Sequence, residues 1–282
     1  MTINRALKPL LLPLSALLLL FSFLPSCSSL SPSGPTSGSQ LSGTITEAGS
    51  TTVQPLAEKL AGAFTKNNPK VTITIQGGGT SVGIKSAADG TVDIGAASRE
   101  LLPNEPQLVK FTLARDGIAI IVNPKNTVNG LTKAQVKDIF SGKITNWKDV
   151  GGTDFGINVA AREEGSGTRT AFEELVMGTD RILSKAVLQP SNGALRQVVS
   201  GDAQSISFVS LGAIDNSVRA LAIDGVAATE QNAASGAYPV VRPLYFLTKT
   251  EPTGLTKTFI DFCLSPEGQI IVRGEGYVPV GK

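Results

Sequence analysis

Residues 71–85, VTITIQGGGTSVGIK, decide the fold. Val71 to Ile75 is a β-branched run that reads as a strand, and Gly77-Gly78-Gly79 ends it. Thr80 and Ser81 then open a helical pattern through Ile84 and Ala88. A strand that runs into a loop of glycines and hydroxyls, and from there into a helix, is the repeating step of α/β architecture with a mainly parallel sheet.

The same step recurs on both sides. Upstream, a strand from Gly43 to Glu47 leads into Gly49-Ser50-Thr51-Thr52, and Val53, Leu56, Leu60 and Phe64 follow at helical spacing with Pro55 in the first turn. Downstream, a strand from Ile157 to Ala160 leads into Gly165-Ser166-Gly167-Thr168 and a helix carrying Ala171, Phe172, Leu175 and Val176. Further strands are predicted at Val92–Gly95, Gly117–Val122 (closed by Asn123-Pro124), Ser205–Ser210, Val218–Ile223 and Val240–Thr248. A C-terminal helix holds Phe259, Phe262 and Cys263. No repeat of 20 to 50 residues is visible.

The N-terminus carries a different signal. Arg5 and Lys8 precede an apolar stretch from Leu10 to Leu24, and Ser26 stands directly before Cys27, the pattern of a secretory signal peptide. The stretch is short for a membrane span and contains Pro13. Leu24-Pro25-Ser26-Cys27 resembles the lipobox of bacterial lipoproteins, which implies cleavage after residue 26 and acylation of Cys27. Residues 27–42, rich in Ser, Pro and Gly, read as a tether with too little apolar surface to order itself. The roughly 240 residues that remain are enough for one large unit or two lobes.

Composition removes several function classes. With Cys27 acylated, Cys263 has no partner, so the fold rests on its core and not on disulfides. Residues 1–26 hold Arg5 and Lys8 and no acid, so the 25 basic and 23 acidic residues become 23 of each in the mature chain. A neutral chain has no basic field for nucleic acid, and any anion must be held by local geometry. The chain has no histidine, which removes the commonest general base and metal ligand. No residue set points to a metal or an organic cofactor.

The three loops after strands are where chemistry concentrates. A helix start leaves about four backbone N–H groups unpaired and carries about half a positive charge, which suits an anion. Glycine permits close approach, and Ser and Thr add rotatable donors that fit a tetrahedral oxyanion. Such residues also serve as plain N-caps, but three alike at the carboxyl ends of strands lie where open α/β sheets bind ligands. Arg162, four residues before Ser166, adds a planar fork of donors to the same helix mouth; its other reading is a surface ion pair with Glu163 or Glu164.

These residues resemble a known family. Ala160 to Thr168 (AAREEGSGT) is similar to the R-x-x-G-S-G-T segment of the phosphate-binding proteins that serve the Pst phosphate ABC transporter. Gly49 to Leu56 (GSTTVQPL), Gln76 to Lys85, Val92 to Arg99 (VDIGAASR), Leu131 to Gly151 (LTKAQVKDIFSGKITNWKDVG) and Tyr277-Val278-Pro279 resemble other segments of that family. The resemblance covers nearly all of the mature domain. It implies the type II periplasmic-binding-protein fold: two lobes, each a mainly parallel sheet flanked by helices, joined by two crossover strands. The expected division is 43–124 with 233–282 for lobe one and 125–232 for lobe two.

Carried over by position, the implied phosphate ligands are Ser50, Thr51, Thr52, Thr80 and Ser81 from lobe one and Arg162, Ser166, Gly167 and Thr168 from lobe two. Ser98 and Arg99, also counted among the implied phosphate-binding residues, close the third loop, where some members of the family place an aspartate that accepts the proton of hydrogen phosphate. A serine there does not repel sulfate, so selectivity is less protected. Asp93 reads as a structural residue at a strand end. The implied partners are inorganic phosphate, the permease subunits of an ABC transporter, and the membrane through Cys27, in the periplasm or at the outer cell surface, with a monomer expected. Within the same class the alternative is a receptor for sulfate, molybdate or another oxyanion; readings from other classes are a secreted phosphatase and an envelope phosphate sensor or adhesin. Trp147 and Phe140 read as core or lobe surface, Lys133, Lys137, Lys143 and Lys148 as a solvated basic face, and Cys263 as a buried small hydrophobe.

Overall fold

The structure, a computed structural model, describes residues 40–281. The signal peptide, Cys27 and all but the last residues of the tether lie outside the described residues. Leu41 packs against the core, and β1 (Ser42–Gly49) starts one residue inside the expected tether. Thr44 points outward and Ile45 is buried, after which the strand dives into the molecule. In α1 (Val53–Asn67), Val53, Leu56, Ala57, Leu60, Ala61 and Phe64 form one buried stripe at helical spacing. β2 (Lys70–Gly77), α2 (Thr80–Asp89) and β3 (Ile94–Ala97) follow.

The chain then enters β4 (Val109–Val122), a strand of 14 residues, twice the length predicted from its apolar end. Beyond it come β5 (Gly130–Leu131) and α3 (Lys133–Phe140), whose first turn is closed by a reciprocal Thr132–Gln135 capping box. β6 (Asn158–Arg162) leads to α4 (Gly167–Phe172), which widens into a π turn at Glu173–Met177. β7 (Val187–Gln189), α5 (Asn192–Gly201) and β8 (Ser205–Ser210) complete that stretch. The expected strand at 218–223 bends at Leu221 into β9 (Arg219–Ala220), which pairs with β4, and β10 (Ala222–Ile223), which pairs with β5. α6 (Glu230–Ser235), β11 (Val241–Thr248), α7 (Gly254–Leu264) and α8 (Pro266–Gly274) finish the fold.

The main sheet runs β2-β1-β3-β11-β4-β8-β6-β7, with β9 added on β4. Its two flanks are parallel, β2-β1-β3 and β8-β6-β7, while β11 and β4 pair antiparallel in the middle. Two large apolar cores result. Core one gathers Ile45, Leu56, Phe64, Ile94, Leu113, Phe246 and Phe259; core two gathers Ile118, Phe140, Trp147, Phe172, Phe208 and Tyr238. Phe172 and Phe208 stack at 4.1 Å in core two, and Phe64 meets Phe259 edge-on at 5.3 Å in core one. Strand membership passes from core one to core two within β4, between Ala114 and Ile118, and returns within β11, between Val241 and Leu244. Cys263 lies at 0 % exposure in core one, and burial pushes its thiol pKa up, as suits an inert small hydrophobe. No helix among the described residues is long and apolar enough to cross a membrane.

Candidate functional site

Register brings the loops level. Gly49 of β1 lies opposite Gly77 of β2 and Ala96 of β3, so three strands deliver their carboxyl ends to one line. Across the molecule Arg162 and Gln189 end β6 and β7 side by side. The helix starts of α1, α2, α4 and α5 converge between these two sets. Asp93, by contrast, accepts from the Thr46 N–H at 2.7 Å and from its hydroxyl at 2.8 Å, a structural role at a strand edge.

The two sets touch directly. Thr52 Oγ1 lies 3.0 Å from Thr168 Oγ1, the Ser81 N–H donates to the Gly165 carbonyl at 3.1 Å, and Asn192 Nδ2 donates to Thr52 Oγ1 at 2.9 Å. Glycine is required at two of these contacts. Gly79 (φ +93°) would place a Cβ 3.1 Å from the Gly165 carbonyl oxygen, and Gly167 would place one 2.3 Å from Thr80 Oγ1. An opening of about 190 Å³ reaches in from solvent past Thr51, Gly79, Arg162, Ser166 and Ser191. A larger hollow of about 560 Å³ lies beside α8, between Leu264, Ile270 and Val280, and shares no lining residue with this opening.

Ser50, Thr52, Thr80, Ser98, Arg162, Ser166, Gly167 and Thr168 are all buried here. Thr51 is half-buried, and its hydroxyl is enclosed without a protein partner. The Ser50 hydroxyl accepts from the Thr52 and Val53 N–H groups, and that of Ser166 accepts from the Arg169 N–H, so both cap their helices. Thr80 Oγ1 accepts from the Ser98 N–H at 3.1 Å. Ser81 is exposed at the rim.

Arg162 is 2 % exposed and donates to the carbonyls of Gln189 (3.3 Å) and Pro190 (2.7 Å). Neither partner is charged, so its charge is uncompensated at contact distance. Burial, and then the nearby Arg242 guanidinium, lower its pKa to about 10 against a smaller pull from Glu163, and it stays cationic at neutral pH. The alternative reading, a surface pair with Glu163 or Glu164, does not form. Arg99 behaves differently. Its guanidinium is doubly paired to Glu105 at 2.7 Å and reaches Ser81 Oγ only at 3.5 Å, so it buttresses the rim and brings no free charge to the cavity.

Sequence reasoning missed two groups. Arg242 stands opposite Asp116 in the β4–β11 register and is paired with it at 2.9 Å, both side chains at 2 % exposure or less. Burial raises the Asp116 carboxyl and lowers the Arg242 guanidinium, and four hydrogen bonds to the carboxylate, from Arg242, Ser210 and Leu211, oppose the rise. The other edge of Arg242 donates to Ser98 Oγ at 3.3 Å and Thr52 Oγ1 at 3.2 Å. The signal was an arginine inside the apolar strand 240–248. The second group is Asn192 at the start of α5. Pro190-Ser191-Asn192-Gly193 reads as a turn and cap, but the strand before it has only three residues.

The result is an enclosed, donor-rich hollow with one uncompensated arginine, suited to a small tetrahedral oxyanion. A family model described as a PBP superfamily domain matches residues 34–267. A phosphate-binding protein PstS of Bacillus subtilis is 34 % identical over 248 residues, covering 85 % of this chain and 81 % of its own. The chain belongs to the family of phosphate-binding proteins within the PBP superfamily.

Solved structures agree. A putative phosphate ABC transporter substrate-binding protein from Clostridium perfringens, with bound phosphate, is 41 % identical at a TM-score of 0.82, over 85 % of this chain and all of its own. An ABC-type phosphate transport receptor from Vibrio cholerae is 36 % identical at a TM-score of 0.71, over 84 % and 100 %. The mixed α/β sheet with its two antiparallel central strands is the periplasmic-binding-protein fold expected from sequence. No group of three or more His, Cys, Asp or Glu that could hold a metal occurs among the described residues.

Proposed function

We propose that this chain captures inorganic phosphate between two lobes and delivers it to the permease of an ABC transporter. The observation that carries the reading is Arg162, buried and uncompensated at the meeting point of four helix starts. The phosphate-bound Clostridium perfringens relative supports the same ligand. Thr51, Thr52, Thr80, Ser98, Ser166, Gly167 and Thr168 are the direct ligands in this reading, with Ser50 and Arg99 as supports. The two lobes of this reading meet in β4 and β11, where the chain crosses between Ala114 and Ile118 and returns between Val241 and Leu244, a few residues inside the 43–124 and 233–282 bounds expected from sequence. The protein works outside the cytoplasm as a monomer, anchored through lipid on Cys27, and performs no catalysis of its own.

A competition titration of phosphate against sulfate tests the ligand. Phosphate is expected to bind at least about tenfold more tightly, one charge-assisted contact's worth. Sulfate binding of equal strength would reassign the chain to oxyanions in general.

A further inference from the structure

The enclosed part of the hollow is rich in donors, while the exposed Glu163 and Glu164 lie at its mouth. Arg162 and the helix-start N–H groups only donate, and Arg242 donates to the hydroxyl oxygens of Thr52 and Ser98. With its oxygen also receiving Asn192 Nδ2, the Thr52 hydroxyl has only its proton to give, and Thr168 Oγ1 stands 3.0 Å away to take it. Asp116, the nearest carboxylate behind this wall, is filled by four donors and unavailable. Hydrogen phosphate, however, carries a proton near neutral pH that sulfate lacks. A buried P–OH without an acceptor loses more than one with none to place.

One enclosed side-chain atom next to Thr52 has no partner and can only accept. Asn192 is 3 % exposed, its Nδ2 is spent on Thr52, and its Oδ1 is enclosed without a partner in the protein. The buried Thr51 hydroxyl is also unpartnered, but a hydroxyl serves a donor-hungry anion equally well as a donor. We propose that Asn192 Oδ1 accepts the proton of bound hydrogen phosphate and is the residue that separates phosphate from sulfate in this chain. The inference rests on the phosphate reading above. It places selectivity on α5, outside the three loops legible in the sequence.

The experiment is calorimetric titration of the purified full-length protein with phosphate and with sulfate, for wild type, Asn192→Ala and Asn192→Asp. Asn192→Ala is expected to lose about tenfold for phosphate and clearly less for sulfate, narrowing the ratio between them. Asn192→Asp keeps an acceptor and adds a charge that repels sulfate, so it is expected to retain phosphate binding and widen the ratio. This rescue separates a ligand contact from a merely structural role. Equal losses for both anions in Asn192→Ala would overturn the proposal, showing that the amide only positions Thr52. A larger loss for sulfate would overturn it too, by showing that the amide nitrogen faces the ligand. Wild type that binds sulfate as tightly as phosphate would instead remove the phosphate reading, and the proposal with it.

Discussion

Glu47 sits on the core-one face of β1, two residues after Ile45, at 2 % exposure and with neither carboxyl oxygen hydrogen-bonded. Burial, with a smaller contribution from the Glu58 charge, raises its pKa from 4.5 to about 8. The folded protein therefore keeps a proton between those values that the unfolded chain releases. Stability falls as pH rises through this window, and the fall stops once the folded carboxyl also ionises. The full effect is on the order of 5 kcal/mol. Glu47→Gln is expected to flatten the decline of Tm with pH and to melt higher than wild type on the alkaline side. Parallel melting curves for the two proteins would contradict this. At this scale the sequence was informative where chemistry is local. Arg162, Ser166 and Thr168 stand in one short motif and meet in space, and Asp93 caps a strand edge as read. Arg242 and Asp116 were not legible, because their meaning lies in a cross-strand register spanning 126 residues.

At the level of elements, α4 and α2 approach so closely that the small side of Gly167 is part of the site. An added methyl at that position would stand 2.3 Å from Thr80 Oγ1 and 2.6 Å from Ser98 Oγ. Gly167→Ala should gain slightly in helix propensity yet push the two helix starts apart. The expected outcome is a loss of about tenfold or more in phosphate affinity, as for one misplaced charge-assisted contact, with little change in Tm. Unchanged affinity would show that α4 and α2 need not meet. β1 and β2 were readable because each is a β-branched run that ends at glycine before a helix start, whereas β7, three residues long, was not. The first half of β4 was not, since KFTLARD places charges in a strand half-covered by solvent. α5 was hidden by a preceding strand too short to show a period, and α8 by Pro266, which starts that helix instead of ending the one before.

For the molecule as a whole, the question is how a chain with 25 basic and 23 acidic residues, and so almost no net charge, holds a dianion. Surface charges are already paired in exposed couples such as Lys143–Asp180 and Lys148–Asp154, and bulk field contributes little. What remains is aimed: four helix starts, a set of buried hydroxyls, and Arg162. The chain passes between its two cores within β4 and β11, and in the two-lobe reading proposed above a ligand that completes its bonds only when both halves meet it favours the closed form. The most direct test is titration of the purified protein with phosphate beside Arg162→Ala. One phosphate is expected per chain, held at least about tenfold more weakly by the variant, since a hydrogen bond to a buried charge contributes roughly 1.5–3 kcal/mol. An Arg162→Ala protein that binds phosphate as tightly as wild type would contradict the site described here.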